Sequence, residues 1–201
     1  MRVLIGCEYS GVIRDAFIAR GHAAMSCDLL PTESPGPHYQ GDLRDVLVPG
    51  WDLVILHPPC TYITNAGVRH LYEHIVSVNG RRAEVHGQKR RAELLRAVAF
   101  FMDCLVAPCE RLCVENPIPS RHAAIPRYTQ LIQPHMFGHP ETKATCLWLK
   151  GLPDLIPTQQ VLAGIKSTCH NMSPSPDRAK HRARTFQGIA DAMADQWGSL
   201  T

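Results

Sequence analysis

The sequence predicts an α/β fold, a mostly parallel sheet with helices on both faces. Three observations predict it. The chain opens with an apolar β-rich run, Val3-Leu4-Ile5, closed by Gly6; a second glycine, Gly11, precedes a helical pattern in which Val12, Ile13, Ala16 and Phe17 share one face. Strand, glycine turn and helix form the opening unit of nucleotide-type binding folds. Two more short apolar runs, residues 51–56 and 111–114, are each stopped by proline, and each delivers a chemically capable side chain just past its end: Cys60 and Glu115. A helical region separates those two runs, as a crossover between parallel strands requires. At 201 residues, with 45% hydrophobic and 19% charged content, the chain suits a single domain over 1–201.

The elements follow in order. Gly21 is placed to cap the first helix. Ala23-Ala24-Met25-Ser26-Cys27 reads as the second strand, ended by Asp28, where an acid can accept hydrogen bonds from ribose hydroxyls or simply sit in a solvated turn. Residues 30–40 are proline-rich and read as a loop; a weak third strand is expected around Gly41-Asp42-Leu43. Residues 51–56 form the fourth strand. Residues 61–88 lack firm periodicity, are punctuated by Gly67, Gly80 and Gly87, and read as a mobile loop. Between residues 69 and 96, seven basic side chains face three acidic ones, a balance that suits either a phosphate backbone or a solvated surface helix. Residues 93–106 are helical and apolar nearly all round after Ala97, so a buried helix is expected. Residues 129–134 are extended, Phe137-Gly138-His139-Pro140 is a turn, residues 144–149 are a strand, and residues 151–176 are irregular. Phe186, Ile189, Ala190, Met193, Ala194 and Trp197 recur at helical spacing and define a last amphipathic helix, preceded by the basic residues Arg178, Lys180, Arg182 and Arg184.

The chemistry centres on His57-Pro58-Pro59-Cys60-Thr61. Two prolines force an extended exit from the strand and hold a thiol at the sheet's carboxyl edge, where open α/β sheets bind ligands. Eight cysteines without a CxxC pair argue for neither a zinc site nor a disulfide framework. His57 is close to Cys60 in sequence, but their side chains need not meet, so a cysteine–histidine hydrolase is not indicated. Gly6 and Gly11 would let a ligand approach the backbone of the first turn. No apolar run reaches the ~20 residues of a membrane span and the first residues do not form a leader, so a cytoplasmic protein is expected.

The order of these motifs resembles that of the DNA cytosine C5-methyltransferases, in particular short phage-type members. Pro59-Cys60 is similar to the pair that carries the family's nucleophile, and Glu115-Asn116 to the Glu-Asn pair that follows the next strand. Ser10-Gly11, Asp28 and Gly41-Asp42 occupy the family's cofactor positions, and residues 137–143 and 185–190 resemble the ending of the phage-type chains. The resemblance implies a Rossmann-like S-adenosylmethionine-dependent methyltransferase with Cys60 and Glu115 catalytic. It implies a substrate set of Asn116, Pro59, Thr61, Lys143 and Arg121, with Arg127 a further candidate cation. The cofactor set it implies is Gly6, Tyr9, Ser10, Gly11, Asp28, Leu29, Asp42, Leu43 and Pro58. DNA is the implied partner, the host cytoplasm the implied location, and no metal is needed. Residues 134–184 would be a reduced recognition region, so target choice would fall to a short contact, a partner or a second copy. Thr61 stands where the family commonly has Gln, and Pro117 follows the Glu-Asn pair in place of Val.

Other readings stay open on sequence alone. Amino-methyltransferases on adenine N6 or cytosine N4 use an Asp/Asn-Pro-Pro-aromatic motif, but here His57 and Cys60 flank the prolines. Cysteine-dependent modification of a free pyrimidine nucleotide or RNA, a transferred group other than methyl, and a non-catalytic nucleic-acid-binding module are the remaining alternatives.

Overall fold

The computed structural model describes every residue except 73, 79, 80, 86, 174, 176, 177 and 201. Its centre is a seven-stranded sheet built from β1 (Arg2–Gly6), β2 (Ala23–Asp28), β3 (His38–Gln40), β4 (Leu53–Leu56), β7 (Leu112–Pro117), β8 (Gln130–Ile132) and β9 (Thr145–Lys150), in the order β3-β2-β1-β4-β7-β9-β8. The pairs β1–β2, β1–β4, β2–β3 and β4–β7 are parallel; β9 alone runs against its two neighbours. The chain lays down β1, β2 and β3 to one side, then crosses back to place β4 on the other flank of β1. This reversal between β1 and β4 is the switch point at which such sheets open a crevice.

Strands buried on both faces read as unbroken apolar runs, and β4 (Leu-Val-Ile-Leu) is buried throughout. Alternate side chains serve opposite layers. Val3, Ile5, Leu53 and Ile55 pack with α1 (Val12–Ile18) and α5 (Gln187–Gly198) through Phe17, Met193 and Trp197. Leu4, Val54, Leu56 and Val114 pack with α2 (Gly87–Leu105) through Leu94, Phe101 and Cys104, and with Trp148 of β9. Helices therefore cover both faces, as the sequence predicts.

Several expectations are corrected. The third strand is His38–Gln40, inside the stretch read as a loop; Asp42 instead caps a 3-10 turn, Leu43–Asp45, by accepting from the Arg44 amide. Residues 61–88 are not a structureless loop. They hold a 3-10 segment, Asn65–Leu71, and an antiparallel hairpin of β5 (His74–Val78) and β6 (Arg81–Val85). Gly80, expected to punctuate this segment, lies outside the described residues. Helix α2 starts six residues before position 93 and is not buried all round: Leu95 and Met102 are exposed. The strand read as residues 111–114 also takes in Glu115 and Asn116, because β7 runs to Pro117 by pairing with β9. The range 134–184 also contains β9 itself, a strand of the central sheet, before the short helices α3 (Thr168–Asn171) and α4 (Arg178–Ala183).

Arg14 is a buried charge that periodicity does not reveal. It is 0% exposed, and its guanidinium donates to Asp15 at 2.8 Å, Ser26 Oγ at 3.1 Å, Thr32 Oγ1 at 3.2 Å and the Ser34 carbonyl at 2.9 Å. It thereby ties the segment after β2 to α1. Arg14→Met leaves those partners without their donor, and buried charge-assisted bonds are costly to lose. Urea unfolding is expected to show a loss of about 3 kcal/mol.

Candidate active site

Strand register builds the site. Val54, Ile55 and Leu56 of β4 lie opposite Leu112, Cys113 and Val114 of β7. The next step of that register brings His57 to Glu115, and the following one Pro58 to Asn116. Both contacts form: His57 Nδ1 is 2.8 Å from Glu115 Oε2, and Asn116 Nδ2 donates to the Pro58 carbonyl at 2.7 Å. The His57 amide also donates to the Gly6 carbonyl at 2.9 Å, which holds the start of the proline turn against β1.

Cys60 sits at the far end of this turn. Its carbonyl accepts from the amides of Ile63 and Thr64, the Thr61 carbonyl accepts from Arg90 at 2.9 Å, and the Arg90 guanidinium lies over the Tyr62 ring. Of the eight cysteines, all free, Cys60 is the one that is exposed. Its thiol is still held above its ordinary value, first by partial withdrawal from water and then by the Glu115 carboxylate; Arg182 and Lys143 pull the other way. Glu115 is shifted down. Burial works against ionisation but is outweighed by the His57 hydrogen bond and charge, with Lys143 adding to them. The resting site thus combines a protonated thiol with a carboxylate that opposes its ionisation.

The sequence-derived residues separate into two groups. Asp28, Leu29, Asp42, Leu43 and Pro59 line one cleft of about 270 Å³ at the switch point. Cys7, Arg44 and Phe100 line it too, with the Arg44 guanidinium over the Phe100 ring; none of the three was singled out from the sequence. Cys7 adopts a φ of 57°, a sparsely populated conformation for a residue with a Cβ. Pro59 lines the cleft and Cys60 follows it, so the thiol stands at the cleft's edge. Lys143 acts on both Cys60 and Glu115, and its Nζ donates to the Arg184 carbonyl.

The second group lies outside the lining of that cleft. Gly6 is required by packing: a Cβ there would meet Leu56 and Leu43 side-chain carbons at 2.5 and 2.6 Å. Gly11 holds a left-handed φ of 78° before α1. Tyr9 is buried and donates to the Lys180 carbonyl of α4, and the Ser10 hydroxyl donates to Glu8. Glu33 joins this contact by pairing with Lys180 and Arg184, so α4 is strapped over the first turn. Pro58 and Asn116 hold each other, and Asn116 is 1% exposed. Arg121 is exposed on the 3-10 turn Arg121–Ala123, and Arg127 is exposed beyond it.

Sequence reasoning gave no role to two groups here, the largely covered His57 and the buried Glu8. Glu8 is 5% exposed; its Oε1 accepts from the Ile13 amide at 2.9 Å and from Ser10 at 3.1 Å, and burial pushes the carboxyl up despite those bonds. Counting register across the two proline-stopped strands was the signal that would have paired His57 with Glu115. Among the described residues no three His, Cys, Asp or Glu side chains gather as a metal site, and no helix is long and apolar enough to cross a membrane.

No protein-family model matches the chain, and no curated protein matches it. Among solved structures it is similar to a triple mutant of Spodoptera frugiperda DNMT2, with 13% identity over 83% of this chain and a TM-score of 0.37. The match covers 56% of that chain, so the present sequence spans little more than half its length.

Proposed function

We propose that this protein transfers a methyl group from S-adenosylmethionine to C5 of cytosine in DNA, through a covalent bond between Cys60 and C6. The observation that carries the reading is the pairing of the one exposed cysteine with a carboxylate on the adjacent strand, the two coupled by charge at the sheet's carboxyl edge. Cytosine C5 is a poor nucleophile, and a thiolate at C6 makes it enamine-like. The thiol gives up its proton to water; as the Sγ–C6 bond forms, the C5=C6 electron pair shifts into the ring and N3 takes a proton delivered through Glu115. C5 then takes the methyl carbon as its bond to the donor's sulfonium sulfur breaks and leaves a neutral thioether; a base or water removes the C5 proton, the S–C6 bond breaks and N3 returns its proton.

The cleft fits the donor's nucleoside half. Asp28 and Asp42 offer carboxylate acceptors for hydroxyls, Leu29 and Leu43 offer apolar contact, and the cleft ends beside Pro59 and Cys60. When bound there, S-adenosylmethionine supplies a sulfonium methyl group. The basic residues of positions 69–96 and of α4 suit a phosphate backbone, and a duplex target would have to be unstacked to reach Cys60.

Nucleoside mass spectrometry of DNA from cells expressing the protein tests the reading. 5-Methylcytosine is expected, absent from cells expressing Cys60→Ser. Methyl groups on N4 or N6 would replace this reading with amino transfer. A different group on C5 would keep the cysteine chemistry and change the donor, and unmodified DNA would remove DNA as substrate.

A further inference from the structure

We propose that His57 is a positioning residue for this reaction: it aligns Glu115 and supplies, through it, the proton that the pyrimidine takes up when Cys60 adds. The proposal rests on the transfer reaction above. Its geometry is built by the sheet, since His57 and Glu115 are successive in-register neighbours past the paired ends of β4 and β7. With Glu115 ionised, the 2.8 Å contact requires the hydrogen on Nδ1. Both side chains are largely covered, at 10% and 17% exposure, so the proton passes between them without bulk water.

The far side of the imidazole argues against a merely structural role. Nε2 is buried and has no hydrogen-bond partner among the described residues, and neither has Oε2 of Glu8. Buried polar atoms are nearly always satisfied. An imidazole kept for packing alone would be replaced at lower cost by an apolar side chain. The groups that face the pair come from every neighbouring element: Glu8 from the turn after β1 with Arg14 behind it, Lys143 from the segment before β9, Cys60 from the same proline turn, and Arg182 from α4. His57 thus lies between two carboxylates, and the cations nearest Glu115 and Cys60 lie on other elements.

The step balances within the pair. The Cys60 thiol proton leaves to water, and the pair begins as imidazolium and carboxylate. As the Sγ–C6 bond forms and the ring electrons move toward N3, the Nδ1 proton crosses to Glu115 and the Glu115 proton is taken by N3, leaving a neutral imidazole and a carboxylate. When the S–C6 bond breaks, the proton returns by the same path.

The test is a pH–rate profile of native protein, His57→Asn and His57→Ala on a cytosine-containing duplex, with thermal unfolding of each. Asn keeps an N–H near Nδ1 but cannot titrate. His57→Asn is expected to keep KM within about 3-fold, to lose roughly 10- to 100-fold in kcat, and to lose the alkaline limb of kcat. His57→Ala is expected to lose more kcat than Asn does. A folded His57→Asn protein with native kcat and a native pH profile overturns the proposal alone. A native protein that forms no adduct with a 5-fluorocytosine duplex overturns it together with the transfer reaction on which it rests.

Discussion

Cys60→Ser is expected to abolish transfer, with a loss on the order of 10³-fold or more, and to leave the fold intact. The argument begins with accessibility. Cys27, Cys104, Cys109, Cys113 and Cys146 are buried, Cys7 and Cys169 are half-buried, and only Cys60 is exposed. Burial holds the thiols of Cys27 and Cys146 up to about 11 and that of Cys104 up to about 12, so none is a usable thiolate near neutrality. Cys60 is also raised, with Arg182 and Lys143 acting to lower it; the same two cations act on the half-buried Cys169, but Cys60 is the exposed thiol. A serine hydroxyl at the same place is far less acidic and less nucleophilic than a thiol, so the small change in shape is not compensated chemically. Surface substitutions away from packed features stay within about 0.5 kcal/mol, so thermal unfolding should barely move. Native protein incubated with a 5-fluorocytosine duplex and S-adenosylmethionine should give a protein–DNA adduct stable to denaturing electrophoresis, mapped to Cys60 by peptide mass spectrometry. Full activity of Cys60→Ser would sink the mechanism.

What could be read from the sequence depended on whether the deciding interactions were local. β1 and β4 are apolar runs buried on both faces, and α5 repeats its buried residues at helical spacing; pattern alone identifies them. Glu115-Asn116-Pro117 was legible as a motif but not as structure. Glu115 and Asn116 lie inside the strand because β9, some thirty residues on, supplies an antiparallel partner as far as Pro117, a long-range pairing that local pattern does not show. The 74–85 hairpin carried a two-residue Asn-Gly signal between its arms, which hairpin turns favour, but the arms alternate too weakly for periodicity to expose them. Arg14 looks like any polar residue on a helix, and its burial follows only from the segment 29–36 folding back over it. In the site, Cys60 and Glu115 were legible as chemistry because each follows a proline-stopped strand. His57 was weighed only against Cys60, its neighbour in sequence. The contact it makes, with Glu115 across the sheet, depends on register, which no local window contains.

Glu115→Gln should separate two roles of one carboxylate. Transfer is expected to fall by roughly 10²- to 10⁴-fold, because an amide cannot give N3 its proton. The thiol should respond in the opposite direction. In the native protein the Glu115 charge raises Cys60, so a neutral side chain brings the thiol down and increases its thiolate fraction at pH 7 to 8. Alkylation of Cys60 by iodoacetamide is therefore expected to accelerate several-fold while catalysis collapses and the buried cysteines stay protected, a combination that misfolding cannot produce. The same substitution changes the acid limb of stability. Glu115 is held below its ordinary 4.5 in the folded protein, so its contribution is fully present above that value and disappears as pH falls through the folded one. Native protein should lose melting temperature on going from pH 5 to pH 3 by more than Glu115→Gln does. Glu8 acts with the opposite sign, since its carboxyl is raised and costs stability as pH climbs above 4.5, but it is unchanged between the two proteins and drops out of the comparison. Equal alkylation rates in the two proteins would show that the Glu115 charge does not reach the thiol, and the electrostatic coupling on which the site is built would be wrong.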